Sequence, residues 1–170
     1  GIDIDWADFS GFDYHTCARK TTGSLWCFGQ DWAGMLGDDA PLTEKLVPTQ
    51  VAGAYTDWIS VTTGDAFSCG VRNEAGGNRR LYCWGDDSSS QIGNGATTGN
   101  QPLPVQEATL ATNWSSVEAG RYFVCATKTT AAAGRQKPQP SADASVRAYL
   151  TAGVPKEKLL LGVPFYGRGW

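Results

Sequence analysis

His15-Thr16-Cys17-Ala18-Arg19-Lys20-Thr21-Thr22-Gly23-Ser24-Leu25-Trp26-Cys27-Phe28-Gly29 reads as a β-hairpin stapled across its two strands. With Cys17 opposite Cys27, Ala18 faces Trp26, Arg19 faces Leu25 and Lys20 faces Ser24. That leaves Thr21-Thr22-Gly23 as the loop, with glycine last, where a left-handed backbone is wanted. The pattern returns as Phe67-Ser68-Cys69-Gly70-Val71 and Leu81-Tyr82-Cys83-Trp84-Gly85. Here Cys69 faces Cys83, and the loop is expected to grow to include Asn73 to Asn78. Extra residues at an exposed hairpin tip cost little, because closure entropy rises only logarithmically with length. A third copy begins at Phe123-Val124-Cys125-Ala126 and stops.

The repeat extends beyond the hairpin. Trp6, Trp58 and Trp114 each stand 11 residues before a cysteine, namely Cys17, Cys69 and Cys125. Gly29 precedes Gly37 by 8 residues, and Gly85 precedes Gly93 by the same 8. Cys17 and Cys69 are 52 apart, whereas Cys69 and Cys125, like Pro48 and Pro104, are 56 apart. A period of this size, with aromatic and β-branched residues and glycine corners, signals propeller blades or a β-solenoid.

At these residues the chain resembles a known family. Trp-x10-Cys, then Gly-Ser-Leu-Trp-Cys-Phe-Gly at Gly23 to Gly29, Gly-Met-Leu-Gly at Gly34 to Gly37 and Val-Pro at Val47-Pro48 resemble the regulator-of-chromosome-condensation repeat in its cysteine-containing secreted form. The resemblance covers roughly residues 6–130. It implies four-stranded blades of a propeller that is usually seven-bladed, of which this chain holds about two and a half.

The 170 residues have the composition of an ordinary globular protein, enough for one domain or two small ones. A net charge of −3 and a pI near 5.1 argue against nucleic-acid binding, which needs a basic footprint. No apolar run approaches the length of a membrane span. No signal peptide opens the chain, and its abrupt start at Gly1 fits one that has been removed. Zinc would want paired ligands such as Cys-x2-Cys, and the single histidine, His15, cannot complete a site, so no metal or cofactor is expected. The cysteines are then cross-strand disulfides or free thiols. Facing residues of a non-hydrogen-bonded pair are close enough to bridge, which favours disulfides at Cys17–Cys27 and Cys69–Cys83 and an extracellular or periplasmic setting. Cys125 is left without a partner.

Both ends of the chain carry a different signal. Gly1-Ile2-Asp3-Ile4-Asp5-Trp6 alternates, so Asp3 and Asp5 share one strand face and Ile2, Ile4 and Trp6 the other. This looks like the active-site strand of glycoside hydrolase family 18 chitinases, Asp-Gly-x-Asp-x-Asp-Trp-Glu. Near the other end, residues 142–152 read as an amphipathic helix with Ser141 as N-cap, Gly153 at its stop and Pro155 beyond. The apolar run 158–165 suits a strand buried on both faces, and helix followed by buried strand is the βα-barrel unit. Residues 141–170 are similar to the late helix and seventh strand of the same chitinases. The Ala/Pro-rich stretch 131–140 reads as a linker at the seam.

The chitinase resemblance implies a substrate-assisted mechanism in which one glutamic acid protonates the glycosidic oxygen. Its position here is Ala7. Asp8 cannot substitute, since one step along a strand turns it to the opposite face. Asp5 would orient the sugar's acetamido group, with Asp3 as its buried partner, and Tyr166, Arg168 and Trp170 would lie along the sugar cleft. The Met-x-Tyr-Asp motif that positions the acetamido group is absent. The chain is therefore expected not to be an enzyme.

Among the aromatics, Trp26, Trp84 and Tyr82 recur in phase and are expected in the blade core. Phe12, Trp32 and Tyr55 do not recur, which makes them candidates for an exposed partner surface. Asp38-Asp39 and Asp86-Asp87 read as turn residues before calcium ligands. The expected architecture is mainly β: a partial β-propeller at residues 6–51, 57–106 and a truncated 113–130, with a chitinase-like strand remnant at 1–5 and a C-terminal helix-strand piece of βα-barrel type. The expected function is contact with a protein partner or with copies of itself. A chitin-type glycan binder and a structural assembly subunit are the alternatives. A nucleotide-exchange or chromatin role, known for some relatives, is disfavoured by the acidic charge and the disulfides.

Overall fold

In the computed structural model of this protein, which describes residues 5–96 and 99–129, ten strands and one short 3-10 turn are formed. The first four, β1 (Trp6–Phe12), β2 (His15–Lys20), β3 (Leu25–Gly29) and β4 (Lys45–Gln50), pair in chain order as one antiparallel sheet. The next four, β5 (Trp58–Thr63), β6 (Phe67–Glu74), β7 (Asn78–Gly85) and β8 (Gln101–Gln106), do the same. A two-stranded sheet follows, β9 (Trp114–Ala119) and β10 (Val124–Lys128). These are three blades, the last with two of its strands among the described residues. They all fall in one compact unit, Gly1–Ala131. The expected helix at 142–152 and strand at 158–165, with Asp3, Tyr166, Arg168 and Trp170, lie outside the described residues.

The hairpin register is the one the cysteine spacing dictates. Cys17 pairs with Cys27, Ala18 with Trp26 and Arg19 with Leu25, and the Lys20 amide donates to the Ser24 carbonyl at 2.9 Å. Gly23 has φ +84°, and a Cβ there would strike the carbonyl of Thr56, so only glycine closes this loop. In the second hairpin Cys69 pairs with Cys83. The expected six-residue widening of its loop does not occur. Asn73 pairs with Arg79 and Glu74 with Asn78, leaving Ala75-Gly76-Gly77 as a tight turn. The four extra residues lengthen both strands because each added pair satisfies backbone groups that a loose loop would leave to solvent.

Each blade has two unlike faces, because strand neighbours alternate. On β6 and β7, Phe67, Cys69, Val71, Leu81 and Cys83 project to one side. Trp58, Tyr82 and Trp84 project to the other, together with Gly70, where a Cβ would meet the Trp58 ring. The cysteine face of blade 1 (Cys17, Leu25, Cys27) packs on the tryptophan face of blade 2 (Trp58, Trp84). The cysteine face of blade 2 packs on Val117, Trp114, Val124 and Ala126 of blade 3. The innermost strands repeat one hydrogen bond across both junctions. The Thr63 amide donates to Ser10 Oγ, and the Ala119 amide to Thr62 Oγ1, each at 3.0 Å.

A β-bulge recurs at one place in all three blades. The register slips at Ala7 between Trp6 and Asp8, at Ile59 between Trp58 and Ser60, and on β9 at Ser115 beside Trp114. It turns the tryptophan to the face opposite that of the cysteines, which regular alternation would not do. Trp84 is fully buried, as expected of a core residue, but Tyr82 is half-buried. Trp26, the blade-1 counterpart of Tyr82, is half-buried too, since it lies on the tryptophan face of the first blade.

Candidate functional site

The first turn of each blade lies at one end of the sheets. Asp13-Tyr14, Asp65-Ala66 and Arg121-Tyr122 occupy matching positions at the 52- and 56-residue offsets. Arg121 reaches Asp13 Oδ2 and Asp65 Oδ2, both at 3.6 Å, so one guanidinium spans the turns of three blades. Its ring neighbour is Tyr122, 5.2 Å away. Tyr14 meets Trp32 edge to face, with ring centroids 4.8 Å apart. Tyr14, Trp32, Tyr122 and Phe123 are exposed by 46 %, 47 %, 53 % and 60 %. An open cleft of about 350 Å³ beside Tyr14 is walled by Phe12, Asp13, His15 and Phe28. An exposed aromatic set ringed by polar groups is the composition of a recognition surface.

Of the three aromatics expected to form a partner surface, Phe12 and Trp32 sit at this end and share Tyr14 as a neighbour. Tyr55 does not join them. It lies toward the opposite, hairpin-tip end of the blades, with the Arg72 guanidinium stacked 3.4 Å from its ring centroid. Arg72 is also paired with both carboxylate oxygens of Asp57, at 2.7 and 3.0 Å, and with Glu74 at 3.2 Å. Tyr82 donates to Glu74 at 2.6 Å, and burial, reinforced by that bond, pushes its hydroxyl up to about 12. Tyr14, Arg121, Tyr122 and Phe123 are the rim residues that the search for non-recurring aromatics passes over, although their shared turn position is visible in the repeat.

The buried pair His15 and Ser68 is a pin between blades 1 and 2. His15 Nε2 and Ser68 Oγ are hydrogen-bonded at 2.7 Å, and Ser68 Oγ donates to the Met35 carbonyl at 2.9 Å, which leaves the imidazole as the donor of the first bond in its Nε2–H tautomer. A hydroxyl whose proton is held by a carbonyl is no nucleophile facing its base. Burial lowers the His15 pKa from 6.5 to about 4. The unfolded chain therefore binds a proton that the folded one refuses between those values. Stability from this group is full above pH 6.5 and is lost as pH falls toward 4, by roughly 3 kcal/mol. Asp31 acts with the opposite sign, because burial raises its pKa to about 6. Urea unfolding at pH 7 and pH 4 should thus show a smaller acid loss for His15→Gln than for the native chain. Equal losses would mean that His15 is hydrated.

Of the chitinase-like motif, Asp5 and Ala7 lie among the described residues, and both take part in the first blade. Ala7 is the bulged residue of β1 and is exposed. Asp5 Oδ1 pairs with Lys20 at 3.2 Å, and Asp8 Oδ2 with Arg19 at 2.8 Å. The acidic pairs are turn residues. Asp38 accepts from the Ala40 amide, Asp86 from that of Ser88 and Asp87 from that of Ile92. Among the described residues no group of three metal-ligating side chains converges. Disulfides join Cys17 to Cys27 and Cys69 to Cys83, while Cys125 is a free, exposed thiol.

Three blades of this form define a fragment of a β-propeller. Residues 80–127 match the family described as regulator of chromosome condensation (RCC1) repeat. Among solved structures the chain is similar to Prp20p of Saccharomyces cerevisiae, with 18 % identity and a TM-score of 0.64 over 90 % of this chain and 36 % of that one. That protein was studied for binding to Gsp1p and histones. The same yeast RCC1 (Prp20), bound by Kap60, gives 19 % identity and a TM-score of 0.63 over 86 % of this chain and 33 % of that one. Human WBSCR16 gives 15 % identity and 0.61 over 74 % of this chain and 31 % of that one. The chain thus spans about a third of the length of each. A different likeness is to chitinase A1 of Niallia circulans, 67 % identical over 27 residues, which are 16 % of this chain and 4 % of that protein. Among the described residues no helix is long and apolar enough to cross a membrane.

Proposed function

We propose that this chain is a non-catalytic, secreted propeller-repeat module that acts by contact with a protein partner, which can be a further copy of itself. The observation that carries the reading is the turn-end rim, where Tyr14, Trp32, Tyr122 and Phe123 stand exposed around an Arg121 tethered to Asp13 and Asp65. Rigid blades that present short loops are suited to such contacts. The disulfides support an oxidising compartment. Yeast Prp20p, of the same fold, is a protein-binding protein by its own description.

The test compares the native chain with a Trp32→Ser/Tyr122→Ser double variant. Immobilised on a resin, the native chain should retain defined proteins from secreted material, and the double variant should lose them. In light scattering over a dilution series, self-association should give a mass that falls with dilution, and the double variant should be monomeric throughout. Unchanged capture and unchanged mass in the double variant would refute the rim as the contact surface.

A second reading, a chitin-type glycan binder that has lost catalysis, is favoured by the 27-residue likeness to a chitinase. In that reading residues 1–5 and 141–170 are remnants of the barrel and 131–140 the seam, with Tyr166, Arg168 and Trp170 as its sugar contacts. Ala7 stands where the proton donor belongs, so chitin oligosaccharides should not be cleaved. Restoring the acid with Ala7→Glu should still release no sugar above a mock preparation, because position 7 is a bulge in a propeller strand. Turnover by Ala7→Glu would mean that these residues also form a barrel strand.

A further inference from the structure

Charge is divided unevenly between the two ends of the blades. At the hairpin-tip end, Arg19, Arg72, Arg79 and Arg80 offset the local carboxylates, as in the pairs Arg19–Asp8 and Arg72–Asp57. At the turn end, the basic residues among those described are Lys45 and Arg121, against Asp13, Asp38, Asp39, Glu44, Asp65 and Asp86. Both cations are already taken. Lys45 Nζ lies 3.5 Å from Asp38 Oδ2 and donates to the Pro41 and Thr43 carbonyls at 3.3 and 3.2 Å. Arg121 is shared between Asp13 and Asp65. The rim is therefore acidic as well as aromatic, and a surface of one sign steers and selects partners of the other.

The cleft of about 350 Å³ at this end has the chemistry of a cation site. Tyr14 and Phe28 give it aromatic walls, and Asp13 is the charged residue that lines it. His15, also at its edge, is kept neutral at pH 7 by burial, so it repels no cation. The Gln30 amide donates to the Tyr14 carbonyl at 3.0 Å, and the Gln30 side chain donates to Glu44 Oε2 at 3.0 Å. This brings a second exposed carboxylate to the Gly29 side of the cleft. Elsewhere the chain fills such a setting from within. The Arg72 guanidinium lies 3.4 and 5.3 Å from the ring centroids of Tyr55 and Tyr82 and is bonded by Asp57 and Glu74. Among the described residues no lysine or arginine lines the rim cleft. We propose that this cleft takes an arginine side chain of the protein partner, against the Tyr14 and Phe28 rings and between Asp13 and Glu44. A guanidinium suits the site better than an ammonium, because it is planar, weakly hydrated and bonds carboxylates while stacking on rings. The inference rests on the rim being a contact surface and adds the chemistry of what it contacts.

The probes are the peptide acetyl-Ala-Arg-Ala-amide and its citrulline counterpart, which keeps the shape of arginine and removes the charge. Each is titrated into the full 15N-labelled chain while the backbone amides of Asp13, Tyr14 and Gly29 and the indole N–H of Trp84 are followed. The arginine peptide should shift the three amides and saturate with a Kd on the order of millimolar. The buried Trp84 signal should stay in place, and the citrulline peptide should shift nothing. Raising salt from about 0.05 to about 0.5 M should weaken binding severalfold, because both carboxylates are exposed. Asp13→Asn and Tyr14→Leu should each weaken it about two- to fivefold. Arg121→Gln should tighten it about twofold, since it frees Asp13 of its internal counter-ion. An unmoved Trp84 signal reports that each variant is folded. The proposal is overturned by no shift with the arginine peptide, by equal shifts with the citrulline peptide, or by binding that neither Asp13→Asn nor Tyr14→Leu weakens. Capture lost by Trp32→Ser/Tyr122→Ser without any arginine response leaves the rim a contact surface and overturns the arginine assignment alone. An arginine response with capture unchanged in that double variant upholds the cleft and refutes the rim as the capturing surface.

Discussion

Trp84→Ala should lower stability by about 3–5 kcal/mol, the largest loss expected of any single substitution in the described blades. Its indole is fully buried between blades 1 and 2, with its ring centroid 5.7 Å from that of Trp58. Nε1 donates to the Met35 carbonyl at 3.0 Å. Gly37 lies so close that a Cβ there would stand 2.7 Å from Nε1. The surroundings therefore have little room to collapse into the space that alanine would leave. Met35 keeps its bond from Ser68, so the loss is mostly packing rather than an orphaned carbonyl. Phe28 occupies the same position in blade 1 but on its half-buried tryptophan face, and Phe28→Ala should cost markedly less. Urea midpoints of the two variants decide the point. Equal losses would mean that the junction of blades 1 and 2 is no tighter than the outer face of blade 1.

Removing the two disulfides should cost nearly as much per bridge. Each closes a short loop, of sequence separation 10 and 14, for which the lost restraint on the unfolded chain is worth about 3 kcal/mol. The four sulfurs are fully buried at the blade junctions, so Cys→Ala pairs also leave small voids beside Leu25 and Val71. A chain with Cys17→Ala/Cys27→Ala and a chain with Cys69→Ala/Cys83→Ala should each unfold at clearly lower urea. The native protein should show one thiol to a thiol reagent without reductant, from Cys125. A peptide map that recovered Cys17 joined to Cys69 would contradict the hairpin register.

The hairpins were legible because a cross-strand bridge fixes register at one pair, and antiparallel pairing then fixes every other pair. The contrast at residues 73–78 shows the limit of that argument. Spacing alone cannot tell a longer loop from longer strands, and the backbone resolved it by pairing Asn73 with Arg79. The six residues around Trp6 supported two readings at once, since alternation serves a barrel strand and a propeller strand equally. The bulge at Ala7 belongs to the propeller strand that residues 6–12 form, and a bulge leaves almost no mark in a single sequence. The contacts between blades, such as His15 with Ser68 and Arg121 with Asp13 and Asp65, join residues more than fifty positions apart and needed three dimensions.

The unlike faces of the blades give the stack a direction. Cystine-bearing surface always meets indole-bearing surface, so a blade turned back to front would set bridge against bridge. Tandem duplication of one repeat unit, by contrast, hands both neighbours a surface they already accommodate. Such a gene can be lengthened or shortened by whole units through slippage between copies, with every surviving junction unchanged, whereas a cut at any other phase leaves a mismatched joint.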